Sequence, residues 1–240
     1  MKEMNIQKEI PEKIKKTVQN RDHRRCVICG TPIFEYYPMK YYYVEKPSSN
    51  NVVLLCPHHM EEAKKGILEE EAIEKARLEP FKPEKDKKGQ YEIDFQHDVI
   101  ELKIGGNHLM RVFTKVNDSF AALKFRNFPI VKLEKKKEGL ELTLCMIDDH
   151  NNITLLIIDN EVVLSTKKWE IEFLNNNLII EDPEKEYRLQ LVIDSEKNEI
   201  VLTPDSFIFK GKKMINLPQQ NPFEKPKTIT RMKGDGIVIG

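Results

Sequence analysis

The chain has 240 residues, 39 basic against 39 acidic side chains, and a charged fraction of 32%. Zero net charge excludes a global field that would draw the protein onto nucleic acid, so any such binding must come from a local patch. The length allows one large domain or two small ones, and the change of sequence character along the chain points to two.

The start, MKEMNIQKEIPEKIKK, lacks the apolar core of a signal peptide, and no apolar run in the chain approaches a membrane span. Pro11 suits the first turn of a helix, and PEKIKKTVQN carries Ile14 and Val18 four apart on one face. Around this predicted helix Lys8, Lys13, Lys15, Lys16, Arg21, Arg24 and Arg25 outnumber Glu9, Glu12 and Asp22. The segment is therefore locally basic, either as a solvated helix face or as a set of phosphate contacts. His23 reads as a turn residue.

Cys26-x-x-Cys29 follows, and Cys56-Pro57-His58-His59 comes after a long aromatic and polar stretch. Two knuckles that each offer two soft ligands are what a tetrahedral zinc ion requires. Cys26, Cys29, Cys56 and His59 are read as one structural Zn2+ site. His58 is the alternative fourth ligand, but the two-residue spacing of the first knuckle favours His59. A metal-bound cysteine pair, with Cys145 isolated, points to a reducing compartment and hence to a cytoplasmic protein.

Between the knuckles, TPIFEYY and KYYYVEK have the aromatic and β-branched content of a two-stranded hairpin. Tyr36, Tyr37, Tyr41, Tyr42 and Tyr43 either cover a small core or form a platform on which unpaired bases stack. NNVVLLC is a buried strand running into the second knuckle. A helix is predicted from near Pro57 through MEEAKK, interrupted at Gly66 and resumed with Ile67, Ala72, Ile73 and Ala76 at helical spacing.

The first domain is thus residues 1–78, and residues 79–90, EPFKPEKDKKGQ, read as a linker. From residue 91 to 217 the apolar period falls to two: Leu140, Leu142, Leu144 and Met146, or Leu189, Leu191 and Ile193. Turn chemistry separates these segments at Gly105-Gly106-Asn107, Asp148 to Asn152, Asn175-Asn176-Asn177, Glu196-Lys197-Asn198 and Lys210-Gly211-Lys212. An all-β domain of short antiparallel strands, a sandwich or a roll, is expected. Cys145 lies in a strand as a buried, inert thiol. His97, His108 and His150 are scattered in or near turns and form no pair with a nucleophile. Residues 218–240 are expected to be an extended or mobile tail. The predicted class is α+β.

The first third of the chain resembles the zinc-containing branch of the HNH endonuclease family, which has a treble-clef, ββα-metal core. RRCVICG, PIFEY, Asn51-Val-Val-Leu-Leu-Cys56 and HHMEEAKKG carry the likeness. The resemblance implies a histidine that activates water near the end of the first hairpin and another, just after the fourth zinc ligand, that helps hold a divalent metal. In this chain the first position is Pro38 in one register and Val44 in another, and the second is Met60, a thioether unsuited to a hard cation. No histidine lies between the knuckles, so no register restores the first. The same order, a zinc module followed by a β-rich domain with Ile104-Gly105-Gly106-Asn107, resembles uncharacterised bacterial HNH-type proteins and implies no activity for the β domain.

Three functions follow as expectations. The first is a catalytically degenerate HNH-like module that binds DNA, another nucleic acid or a protein partner, with Arg21, Arg24, Arg25, Lys64 and Lys65 as phosphate contacts. The second is an active metal-dependent endonuclease that recruits Glu45, His58 or Asn51; an isolated Glu45 is a poor general base. The third is a protein-interaction role centred on the β domain. No membrane partner is expected.

Overall fold

The computed structural model describes residues 10–40, 42, 48–82, 97–104, 107–125, 128–137, 139–148, 150, 152–182, 188–194, 197, 199–204, 207–209, 212–214, 230–232 and 237–239. The chain divides into two compact units, Met1–Tyr91 and Glu92–Gly240. All helices among the described residues fall in the first, and none is long and apolar enough to cross a membrane.

In the first unit, helix α1 spans Glu12–Arg21, with Pro11 immediately before it and the Pro11 carbonyl accepting from the Ile14 and Lys15 amides. Strand β1 (Glu35–Pro38) pairs antiparallel with β2 (Val52–Leu55), Glu35 opposite Leu55 and Pro38 opposite Val52. The partner of the first strand is therefore the NNVVLL segment. Of the segment expected to pair with it, residues 41 and 43–47 lie outside the described residues.

Period-two alternation gives this short hairpin two apolar faces. Tyr36, Val52 and Leu54 pack with Ile10, Ile14, Val18, Phe34 and Tyr42, so α1 covers one side. Tyr37, Met39, Val53 and Leu55 face Met60 of α2 (Pro57–Lys64) and Ile73 of α3 (Glu70–Leu78) on the other. Each fully buried aliphatic side chain contributes about 1.5–3 kcal/mol. Gly66, at φ 70, stands in the break between α2 and α3. The apolar spacing that predicts helix from Ile67 runs ahead of the structure. Helix α3 starts at Glu70, Ile67 is 67% exposed, and only Ile73 and Ala76 of the four expected residues pack against the core.

Tyr36 and Tyr42 are core residues, 1% and 3% exposed, which removes them from any base-stacking platform. The Tyr36 ring meets Phe34 edge-on at 6.0 Å, and its hydroxyl accepts from Gln19 Nε2 at 2.6 Å. Tyr37 donates to Glu70 Oε2 at 3.2 Å. Tyr41 and Tyr43 lie outside the described residues.

The second unit is built of strands β3 (Val99–Ile104), β4 (Asn107–Val112), β5 (Ser119–Phe125), β6 (Phe128–Lys136), β7 (Gly139–Ile147), β8 (Ile153–Ile158), β9 (Glu161–Ser165), β10 (Glu170–Leu174), β11 (Asn177–Glu181), β12 (Arg188–Asp194), β13 (Glu199–Pro204), β14 (Phe207–Phe209), β15 (Lys212–Met214), β16 (Thr230–Met232) and β17 (Ile237–Ile239). A seven-stranded sheet runs β10-β11-β12-β13-β3-β4-β16, a six-stranded sheet runs β17-β5-β6-β7-β8-β9, and β14 with β15 makes a small hairpin. Inward residues alternate as expected: Ile171 and Phe173, Leu178 and Ile180, then Leu189, Leu191 and Ile193 are buried. Asparagine and aspartate supply the positive φ angles that tight hairpins need, at Asp159-Asn160 between β8 and β9 and at Asn175-Asn176 between β10 and β11.

The sheets are mostly antiparallel, as expected, and three pairs run parallel: β13 with β3, β16 with β4 and β17 with β5. A side-chain period of two is the same for both directions of pairing, so alternation does not report it. Two of these strands come from the segment expected to be an extended tail.

Several polar groups buried in the sheets are paired. Lys103 Nζ lies 2.8 Å from Glu199 Oε2, His108 Nδ1 is 3.0 Å from Glu101 Oε1, and Lys167 Nζ is 2.7 Å from the fully buried Asp182. The Asp148 carboxylate accepts from the amides of His150 and Asn152, closing its own turn. Burial pushes the Cys145 thiol up to about 11, which keeps it protonated and inert.

Candidate metal centre

Cys26, Cys29, Cys56 and His59 converge, with one ligand atom from each lying within 4.8 Å of all the others. The backbone makes this inevitable once the hairpin forms. The Val27 amide donates to Leu54 O, tying the first knuckle to β2, while Cys26 N to Thr31 O and Gly30 N to Cys26 O close the knuckle turn. Gly30 sits at φ 78, a conformation that side-chain-bearing residues rarely adopt. Cys56 follows β2 directly and caps α2, which Pro57 opens, so His59 turns back toward the cysteines within the first helical turn.

The spacings fit one tetrahedral ion. Zinc bonds of about 2.3 Å to sulfur and about 2.0 Å to nitrogen imply ligand separations of roughly 3.8 Å for two sulfurs and roughly 3.5 Å for sulfur and nitrogen. Cys29 Sγ lies 3.7 Å from Cys56 Sγ, and His59 Nδ1 lies 3.6 Å from Cys26 Sγ and 3.1 Å from Cys56 Sγ. Three thiols and an imidazole form a closed, soft donor set that leaves no coordination position for substrate.

Crowding makes these groups share protons. Hydrogen bonds from Cys26 and Cys56 hold the Cys29 thiol far below its ordinary range, and contacts with Cys26 and Cys29 push Cys56 up. Hydrogen bonds with Cys26 and Cys29 push His59 up to about 10. A divalent cation would displace those protons, so the donor chemistry suits a metal. Thr31 Oγ1 adds a 3.1 Å contact to Cys29 Sγ.

His58 is not brought to the cysteines. Its side chain is 68% exposed and its Nε2 lies 3.4 Å from Glu62 Oε1. The positions where the HNH resemblance implies catalytic groups are occupied by the fold: Pro38 pairs with Val52 at the end of β1, and Met60 is buried against the apolar cluster. Val44 and Glu45 lie outside the described residues. The Asn51 carbonyl accepts from the Met39 amide, closing the chain ahead of β2.

The five expected phosphate contacts divide. Arg21 is spent on the fold: Nε and Nη2 reach Asp22 at 2.6 and 2.9 Å, while Nη1 and Nη2 donate to the carbonyls of Ser49 and Val52. Arg24 donates to Gln19 Oε1 at 2.9 Å, and Arg25 Nε donates to His23 O at 3.3 Å. Lys65 pairs with Glu61 at 2.8 Å across one turn of α2, and Lys64 is exposed.

Residues that sequence reading missed surround the site. Asp22 is fully buried and accepts from the Leu54 amide as well as from Arg21. Phe81 donates its amide to Val27 O, and its ring lies where a Cβ on Gly30 would stand, 2.4 Å away. The residues from Glu79 to Phe81, read as the beginning of a linker, thus reach back to the first knuckle; residues 83–90 lie outside the described residues. Glu35 is partly buried in β1, where burial raises its carboxyl and Lys64 opposes that rise. Set against known proteins, the chain matches no family model, no curated protein and no solved structure.

Proposed function

We propose that the N-terminal unit is a zinc-held, catalytically degenerate HNH-like module that works by binding, with nucleic acid as its ligand through Arg24, Arg25, Lys64 and Lys65. The observation that supports it is the pairing of a closed four-ligand cluster with Pro38 and Met60, both built into strand pairing or apolar packing. Zinc in such a site supplies folding energy rather than chemistry. Arg21 leaves the set of phosphate contacts because its guanidinium is committed internally. Thiolate ligation without disulfides suits a reducing, cytoplasmic setting.

A second reading is a protein-interaction module. It is favoured by the internal pairing of Arg21 and of Lys65, which lowers the cationic charge available to phosphate.

Two assays decide between these readings and the nuclease. Incubation with plasmid and magnesium or manganese should give no cleavage; metal-dependent nicking abolished by Glu45→Gln or His58→Ala would establish an enzyme. Titration of fluorescent DNA at low and moderate salt should show affinity that falls steeply with salt, because phosphate contacts release counterions. Charge reversal at Lys64 and Lys65 should weaken binding equally for all sequences. No binding even at low salt would leave the protein-interaction reading.

A further inference from the structure

His59 carries two nitrogens, and only one faces the cysteines. Nδ1 approaches Cys56 Sγ and Cys26 Sγ at 3.1 and 3.6 Å, while Nε2 is directed to Glu62, 3.8 Å from Oε2. The same carboxylate holds His58 Nε2 at 3.4 Å through its other oxygen. The spacing is a product of the helix: Glu62 follows His59 by three residues and His58 by four, so both imidazoles lie on the face it covers. The two rings meet edge-on with centroids 5.3 Å apart.

We infer that Glu62 is the positioning residue that selects Nδ1 of His59 as the metal-binding nitrogen, an inference that rests on the four-ligand zinc reading above. A neutral imidazole can carry its proton on either nitrogen, and whichever bears it is lost as a ligand. A carboxylate facing Nε2 favours the tautomer with the proton there and leaves the Nδ1 lone pair to the metal. At 3.8 Å the contact is longer than a hydrogen bond, so the negative charge of the carboxylate, acting on the Nε2–H dipole, carries the effect. The second arm to His58 keeps Glu62 from turning outward to solvent. The sequence shows the device as His58-His59-x-x-Glu62, directly behind the second knuckle.

The test uses the full chain with Zn2+ as the probe and competition against a chromophoric chelator. Glu62→Ala should lower zinc affinity about 10- to 100-fold, the usual effect of removing the group behind a ligating histidine. Glu62→Gln, which keeps the shape of the side chain but removes its charge, should recover little of it, because charge rather than a hydrogen bond carries the effect. Glu61→Ala, which breaks the exposed pair with Lys65 on the same helix, controls for general weakening of α2 and should leave affinity unchanged. Long-range nitrogen–proton correlation on the zinc-loaded protein should show His59 protonated at Nε2. Undiminished affinity in Glu62→Ala, equal losses in Glu61→Ala and Glu62→Ala, or zinc on Nε2 would each overturn the inference. A wild-type chain that binds no zinc would sink the four-ligand reading itself, whereas tight Nδ1 binding indifferent to Glu62 would sink only this one.

Discussion

Arg21 and Asp22, adjacent in sequence, form a two-pronged ion pair at 2.6 and 2.9 Å that joins the end of α1 to β2. Asp22 has no solvent exposure, accepts also from the Leu54 amide, and lends Arg21 to the carbonyls of Ser49 and Val52. Breaking a buried pair by removing one partner costs about 3–5 kcal/mol, because the other charge is stranded. Asp22→Ala should therefore lower the stability of the first unit by that amount. Denaturant melts followed by far-UV dichroism of the helices would show it, and a loss under about 1 kcal/mol would mean the pair behaves like a surface one.

Gly30 and Phe81 make a second test of packing. A methyl at Gly30 is strained by φ 78 and collides with the Phe81 ring. Gly30→Ala should destabilise the first unit, and adding Phe81→Ala should relieve part of that loss, because only the collision, not the backbone strain, is removed. Additive losses in the double variant would show that the two residues do not touch.

Cys26→Ser should abolish stoichiometric zinc binding and unfold the first unit, since a domain of this size draws folding energy from its metal. The second unit, with its own core, should keep its sheet signature. Metal analysis together with dichroism checks both halves of the statement; full zinc occupancy in the variant would point to a different ligand set.

Glu35 makes the first unit pH-sensitive in an unusual direction. Burial raises its carboxyl in the folded state, with Lys64 opposing, so the native protein holds this proton to higher pH than the unfolded chain does. Stability contributed by the protonated carboxyl is present below the ordinary glutamate value of about 4.3 and is lost as pH rises through the raised one. Glu35→Gln should be more stable than the parent at neutral pH, and the difference should vanish in acid. Taking the difference between the two proteins cancels the acid lability of the thiolate site, which both share. A parent that is the more stable at neutral pH would contradict the argument.

How much could be read beforehand depended on whether a feature is local. Cys26, Cys29, Cys56 and His59 were legible because knuckle spacing is a property of a few consecutive residues, and the α+β division because the apolar period changes from helical to two. The extent of α3 was less legible, since Ile67 continues the helical spacing yet lies before the helix begins. Arg21 reads as a phosphate contact only until the fold brings Ser49 and Val52 to it. Glu62 was not singled out, because its use depends on which ring nitrogen of His59 faces the cysteines, and a sequence carries no such information. The parallel pairs joining β3, β4 and β5 to distant strands leave no trace in alternation.

Those parallel pairs also set a timetable. Thr230 lies opposite Leu109, Ile237 opposite Leu123, and Glu199 opposite Glu101, so each pair closes across much of the second unit. Closing such loops costs entropy before any contact repays it, which makes sheets of this kind slow to form. Until the final strands arrive, β4 and β5 present unpaired edges to their surroundings. The second unit should therefore refold more slowly than hairpin-built sheets of equal size, and its yield should fall as protein concentration rises.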